Sequence, residues 1–501
     1  MASRYWVGGT ATWDGTAGTK WATTSGGAGG AAVPTAADDV FFDAASGAVT
    51  VSVSSAAVAL SINCTGFTGT LSGGGTVTVS GSVTIVSGMT VSGVFNWVIN
   101  GTGTFTSGGK SFSSLNVNGA GITVTLGSAL SLSGILTITQ GTLNTSASNY
   151  SITCERMNSN NSNVRGFTLN GSTVTCTGTT QPWLISTGGT FTLSAGTSTI
   201  TLSGGGGGTA ISFGGGNLTY NNVTHSISSA PGIGLTISGN NTFNTLTLTS
   251  PSAGYIYDCA ILGNQTITTL IANGSGATGR VRLRGNIASA ITLTVTTYTT
   301  KSNVDFQAIT AAGASSPWSG SSLGNLGGNT NITFTAAKTV YWNLAGTQNW
   351  SATGWATSSG GSPAVNNFPL AQDTAIFDNT GAAGTVTLDQ TWSLPTINAS
   401  ARTSAMTLAT AASVGYLTAG SLILGTGITL NTLTSNTIYF VGSNTQTLTS
   451  AGKTWAALFY VGKTGGSVIL GDAFTSSGPT SFTALQIVSG TFDASTYNVT
   501  V

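Results

Sequence analysis

The sequence predicts an all-β chain built as a parallel β-solenoid, with an array of β-sandwich domains as the alternative. Three observations carry that expectation. Helical signals are nearly absent: no sustained i, i+3, i+4, i+7 apolar stripe with caps occurs in the 501 residues. Short alternating runs recur instead, such as "TVTVSGSVTIV", "GITVTLGSALSLSGILTI", "GTFTLSAGTSTITLSG" and "NTFNTLTLTS", each closed by Gly, Asn or Ser. The alternation continues along most of the chain without a closing unit, and phrases return. "GTLNTSASNYSI" at 141–152 comes back as "GTFDASTYNVTV" at 490–501.

Composition suits stacked coils. Gly makes up 72 of the residues, about twice the ordinary share, and charged residues only 5%. Small inward residues and Thr/Asn rows fit a narrow interior, while Gly and Asn supply the φ > 0 corners. With paired strands ~4.8 Å apart and coils of roughly 20–25 residues, the expected product is a rod on the order of 80–100 Å long.

A long-range repeat sets the domain expectation. Tyr5 and Trp6 match Tyr341 and Trp342, Trp13 matches Trp350, and "WATTSGG" from Trp21 matches "WATSSGG" from Trp355. Pro34, Asp38, Phe42 and Asp43 then match Pro369, Asp373, Phe377 and Asp378, and "FTSGGKSFSSLNV" (105–117) parallels "LTSAGKTWAALFY" (448–460). Residues 5–152 and 341–501 read as two copies of one module, and 153–340 as an extension of the first. The predicted organisation is an aromatic cap at 1–46, a solenoid at 47–338, a repeated cap at 339–381 and an incomplete solenoid at 382–501. Because the second copy stops where the extension would begin, the natural chain is expected to continue past Val501.

The aromatic stretches admit two uses. Exposed Tyr5, Trp6, Trp13 and Trp21, with Tyr341, Trp342, Trp350 and Trp355, would make a sugar-binding platform. Buried, with Phe41, Phe42, Ile376 and Phe377, they would plug the first coil and protect its open strand edge. The second use is the expectation here.

Catalytic and metal chemistry find little to work with. Acid–base glycoside chemistry needs two carboxylates roughly 5–10 Å apart across one cleft. The chain has 12 acidic residues, and the one cluster is Asp38, Asp39 and Asp43. Asp39 becomes Thr374 in the second copy. Asp38, Asp43, Asp373 and Asp378 are expected to cap turns, with calcium binding as the minor alternative. His225 is the one histidine, which leaves no imidazole metal pair, and it is expected to be exposed or to line a turn. Cys64, Cys154, Cys176 and Cys259 contain no CxxC and read as small buried apolar residues, with Cys154 and Cys176 spaced to be neighbours on stacked coils. The glycine run "SGGGGGTAISFGGG" lacks GK[ST] and is no phosphate loop. No cofactor or metal is expected.

"GRVRLRG" (279–285) is the best-defined polar feature. Alternation places Arg280, Arg282 and Arg284 on one strand face. Asp258 precedes Arg282 by 24 residues and Asp305 follows it by 23, so coils of that length would stack Asp258, Arg282 and Asp305 as an outward ladder. Exposed pairs contribute only ~0–1 kcal/mol each. The functional alternative is a contact for an acidic glycan or a neighbouring subunit.

With 13 basic and 12 acidic residues there is no field to draw in nucleic acid. No apolar run of membrane-spanning length occurs, and "MASRYWVGG" has no secretory pattern. The phrase at 4–47, with "GTLNTSASNYSITC" and "SNVRGFTLNGSTVTCTGT", resembles the opening and repeats of a family of β-rich, fibre-like virion proteins of tailed bacteriophages. That resemblance implies a structural, non-enzymatic part of a virion appendage, assembled in the host cytoplasm with other virion proteins. A homo-oligomer and contact with a host-surface glycan are further expectations. The alternatives are an exported bacterial adhesin or filament subunit at the cell surface, and a polysaccharide-degrading tailspike.

Overall fold

The computed structural model describes residues 2–54, 57–186, 190–204, 210–225, 234–248, 251–286, 289–411, 415–431, 436–478 and 484–501. The chain is a parallel β-solenoid of about 19 turns. Its only helical elements among the described residues are single 3₁₀ turns at Ala44–Ser46 and Val365–Asn367. The middle of the glycine run, 205–209, lies outside the described residues.

Alternation becomes burial directly. Thr76–Val79, Asn96–Ile99 and Thr199–Leu202 each bury every second side chain, so Val, Ile and Leu fill the coil while Thr and Asn line its outer wall. Trp97 pairs in register with Val77 on the coil before and with Leu115 on the coil after. Inside, Trp97 packs edge-on against Phe105 and Phe112, with centroids 5.6 and 5.7 Å away. Fully burying such a side chain stabilises by roughly 1.5–3 kcal/mol. At one corner Gly93 takes φ 81°. A Cβ there would lie 2.2 Å from the Gly73 carbonyl oxygen of the neighbouring coil, so only glycine turns this corner.

Both aromatic stretches open on the same device. Strand Ser3–Trp6 runs parallel to Asp39–Phe41 on one side and antiparallel to Trp21–Ala22 on the other. Thr339–Trp342 lies likewise between Thr374–Ile376 and Trp355–Ala356. The short antiparallel strand covers an edge that would otherwise present unpaired backbone groups.

The described residues fall into two compact units that cut across the predicted 47–338 solenoid. One holds Met1–Gly204, Ile211–Thr224 and Gly239–Asn244; the other holds Thr245–Val501 and the short remainder. The reason lies within the second unit. Leu326 forms an apolar cluster with Ala371, Leu417 and Val441, and Gln372 donates to the carbonyls of Leu323 and Thr335. Among the described residues no strand pairing joins the sheet ending at Gly324–Asn325 to the sheet of Thr339–Trp342. Here the coils form two stacks whose walls touch, where an end-to-end continuation was expected.

Candidate functional site: an arginine-lined cleft

Strands Ile256–Ile261, Arg280–Arg284 and Val304–Gln307 stack in parallel, with Asp258, Arg282 and Asp305 in one register row. Val281, Leu283, Cys259 and Phe306 point into the coil and are fully buried. The three arginines therefore share the outer face, as alternation requires.

That face is not exposed, and the expected ladder is corrected in two respects. Arg280, Arg282 and Asp305 are only 1–2% accessible, because residues of the second stack lie over them. The pairing also differs in part: Arg282 keeps its register partner Asp258, whereas Asp305 pairs diagonally with Arg280. Arg280 binds Asp305, with Nε 3.0 and 3.2 Å from the two carboxylate oxygens, and donates through Nη2 to the Ser322 carbonyl at 2.8 Å. Arg282 binds Asp258 through Nε at 2.8 Å and donates through Nη1 to the Thr391 carbonyl at 2.6 Å. Arg284 Nε reaches both oxygens of Asp258 at 3.0 and 3.1 Å. Burial opposes ionisation of Asp258, but Arg282 and Arg284 outweigh it and hold the carboxyl well below the usual range. Asp258 in turn raises the pKa of Arg284.

Above this row is a cleft of about 210 Å³ lined by Asp258, Arg282, Arg284, Thr391, Gly415, Leu417 and Tyr439. The Tyr439 ring lies over Gly415, where a Cβ would come within 2.9 Å of it. Tyr460 stands beside Tyr439, ring centroids 5.1 Å apart. A second cleft of about 200 Å³, lined by Asn325, Gln372, Thr396, Ser421 and Asn444 among others, carries no charged side chain. The first is the better candidate because it combines fixed charge, an aromatic wall and a hydroxyl.

The remaining predicted residues occupy structural positions. Trp6, Trp13, Trp21, Phe42, Trp342, Trp350, Trp355 and Phe377 are all buried, so their ring faces are closed to a sugar. Trp6–Trp21 and Trp13–Trp21 meet edge-on at 5.0 and 5.4 Å, and Trp342–Trp355 and Trp350–Trp355 at 5.1 and 4.7 Å. Tyr5 stacks on Phe41 at 4.6 Å, and Tyr341 sits in the equivalent strand position opposite Ala356.

Asp38 accepts from the backbone of Ala2 and Thr35, and Asp373 from Lys338 and Leu370. Asp43 caps the 3₁₀ turn at Ser46, and Asp378 accepts from Thr380 and Gly381. Cys154 and Cys176 are register partners with sulfurs 3.8 Å apart, and all four cysteines are buried thiols. His225 departs from expectation. It is fully buried and its Nδ1 shares a hydrogen bond with the Tyr257 hydroxyl.

Sequence reasoning missed Thr391, Gly415, Leu417 and Tyr439, which approach from segments remote in sequence. It also missed Lys463, buried against Gln446 and pushed by that burial down to about 8. One signal was present in the row itself: three arginines share two aspartates at coil spacing. Comparison with protein-family models, with curated proteins and with solved structures finds no match to this chain.

Proposed function

We propose that the chain is a non-enzymatic structural component of a phage particle, of the tail-fibre or capsid-appendage type, acting as a rigid spacer that also contacts the host surface. The observation that carries this reading is the parallel stacking of coils around an apolar interior. Each coil satisfies the backbone groups of its neighbours, which makes a stiff, protease-resistant scaffold from residues with little charge. The disposition of the carboxylates supports the non-enzymatic part. Asp38, Asp43, Asp373 and Asp378 hold backbone turns, and Asp258, kept ionised between two guanidiniums, is a poor proton donor.

Multivalent weak contacts, in an oligomer, would supply adhesion without a deep site. Mass spectrometry of purified virions, with immunolabelled negative-stain localisation, tests the assignment. The chain is expected in the particle on an appendage, and its absence from particles overturns the reading.

A further inference from the structure

We infer that the cleft over Arg282 and Arg284 binds one carboxylated sugar residue of a surface glycan. The inference deepens the adhesion part of the proposed function.

The charge count is the starting point. Asp305 neutralises Arg280, but the single carboxylate of Asp258 serves both Arg282 and Arg284, so the cleft holds one uncompensated positive charge. The hydrogen-bond count agrees. Arg284 uses only Nε, and Arg282 only Nε and Nη1. Arg282 Nη2 and both terminal nitrogens of Arg284 are left without an acceptor among the described residues. Arg284 keeps 25% of its side chain accessible, which leaves the fork reachable from solvent.

These groups define the ligand. A planar carboxylate suits a guanidinium fork better than a point charge does. The face of a pyranose ring suits the exposed part of Tyr439, held in place by Gly415. The volume of about 210 Å³ falls below the roughly 300–1,000 Å³ of sites for drug-sized ligands, so one sugar enters and the rest of the glycan runs outside. A free oxyanion shares the carboxylate's charge but not the ring.

Isothermal titration of the purified full chain with sodium glucuronate, glucose and inorganic phosphate tests this. Saturable glucuronate binding is expected, with glucose at least about tenfold weaker. Arg284→Gln should weaken glucuronate about tenfold or more, and Arg284→Lys should retain part of the binding. Tyr439→Ala should weaken glucuronate but not phosphate; circular dichroism establishes that each variant is folded. Absence of saturable glucuronate binding overturns the inference. So does glucuronate binding that is no tighter than phosphate and is indifferent to Tyr439→Ala, which would mark a plain oxyanion site. Because the titration uses no particle, its failure leaves the spacer assignment standing, and absence of the chain from virions leaves a measured binding intact.

Discussion

The two aromatic openings are near copies in sequence and in backbone pairing, yet they meet different surroundings. "PTAAD" at 34–38 corresponds to "PLAQD" at 369–373. Thr35, Ala36 and Ala37 are exposed. Leu370 and Ala371 are buried, and Gln372 is bonded to Leu323, Asn325 and Thr335. The first opening presents this turn to solvent, and the second presses it against the coils at 323–335. The carboxylates register the difference. At Asp38 burial opposes ionisation, but hydrogen bonds from Thr35 and nearby Arg4 prevail and lower its pKa. At Asp373 burial prevails and raises it. An identical backbone task thus comes with opposite electrostatics, set by what lies on top.

The largest expected break in the comparison is at the ion pairs. Asp305→Ala strands Arg280 in the covered wall and should cost about 3–5 kcal/mol in urea denaturation. Arg4→Ala, whose guanidinium is 3.9 Å from Asp38 at a partly open site, should cost at most about 1 kcal/mol. Equal losses would mean that the covered wall is no drier than the open one.

Next is the glutamine. Gln372→Ala removes three hydrogen bonds between the two stacks and should destabilise by about 1–3 kcal/mol. Ala37→Gln in the first opening should change stability by less than about 0.5 kcal/mol, since that position faces solvent. A finer contrast concerns the central tryptophans. Trp355 Nε1 donates to the Trp350 carbonyl at 3.2 Å, whereas Trp21 Nε1 is buried without a partner among the described residues. Trp→Phe removes similar volume at both, so Trp355→Phe should cost about 1 kcal/mol more than Trp21→Phe.

The smallest effect is in pH. The lowered pKa of Asp38 gives stability that is complete above its unfolded-state pKa and is lost as pH falls through the folded value. For Asp373 the raised pKa means that the ionised form is penalised, so acidification through its folded pKa returns stability. Asp38→Asn should therefore remove part of the acid-induced loss, and Asp373→Asn part of a gain, in denaturation curves taken between about pH 3 and 7.

Much of this is legible in the sequence. Period-2 alternation at Thr76–Val79 and Arg280–Arg284 fixes which side chains share a face, because a strand has no other choice. The spacing of Asp258, Arg282 and Asp305 announced the coil length and the register row. The pairing of Asp258 with its register partner Arg282 was legible too, but the diagonal choice of Arg280 by Asp305 was not. Which arginine a carboxylate selects depends on χ angles and on what covers the face, and the covering residues come from strands remote in sequence. His225 was misplaced for a related reason: its partner Tyr257 lies a coil away, and nothing adjacent to the histidine signals it.

Local sequence by itself determined the strands, the coil repeat, the turn-capping aspartates and the aromatic clusters, since each depends on side chains within one or two coils. Only tertiary structure decided which wall faces water. Ala36 and Ala371 are the same residue in the same turn, one exposed and the other 1% accessible. No local preference distinguishes them. The coils at 323–335 lie over Ala371, and its burial follows from the apolar contact with Leu326 that this stacking creates.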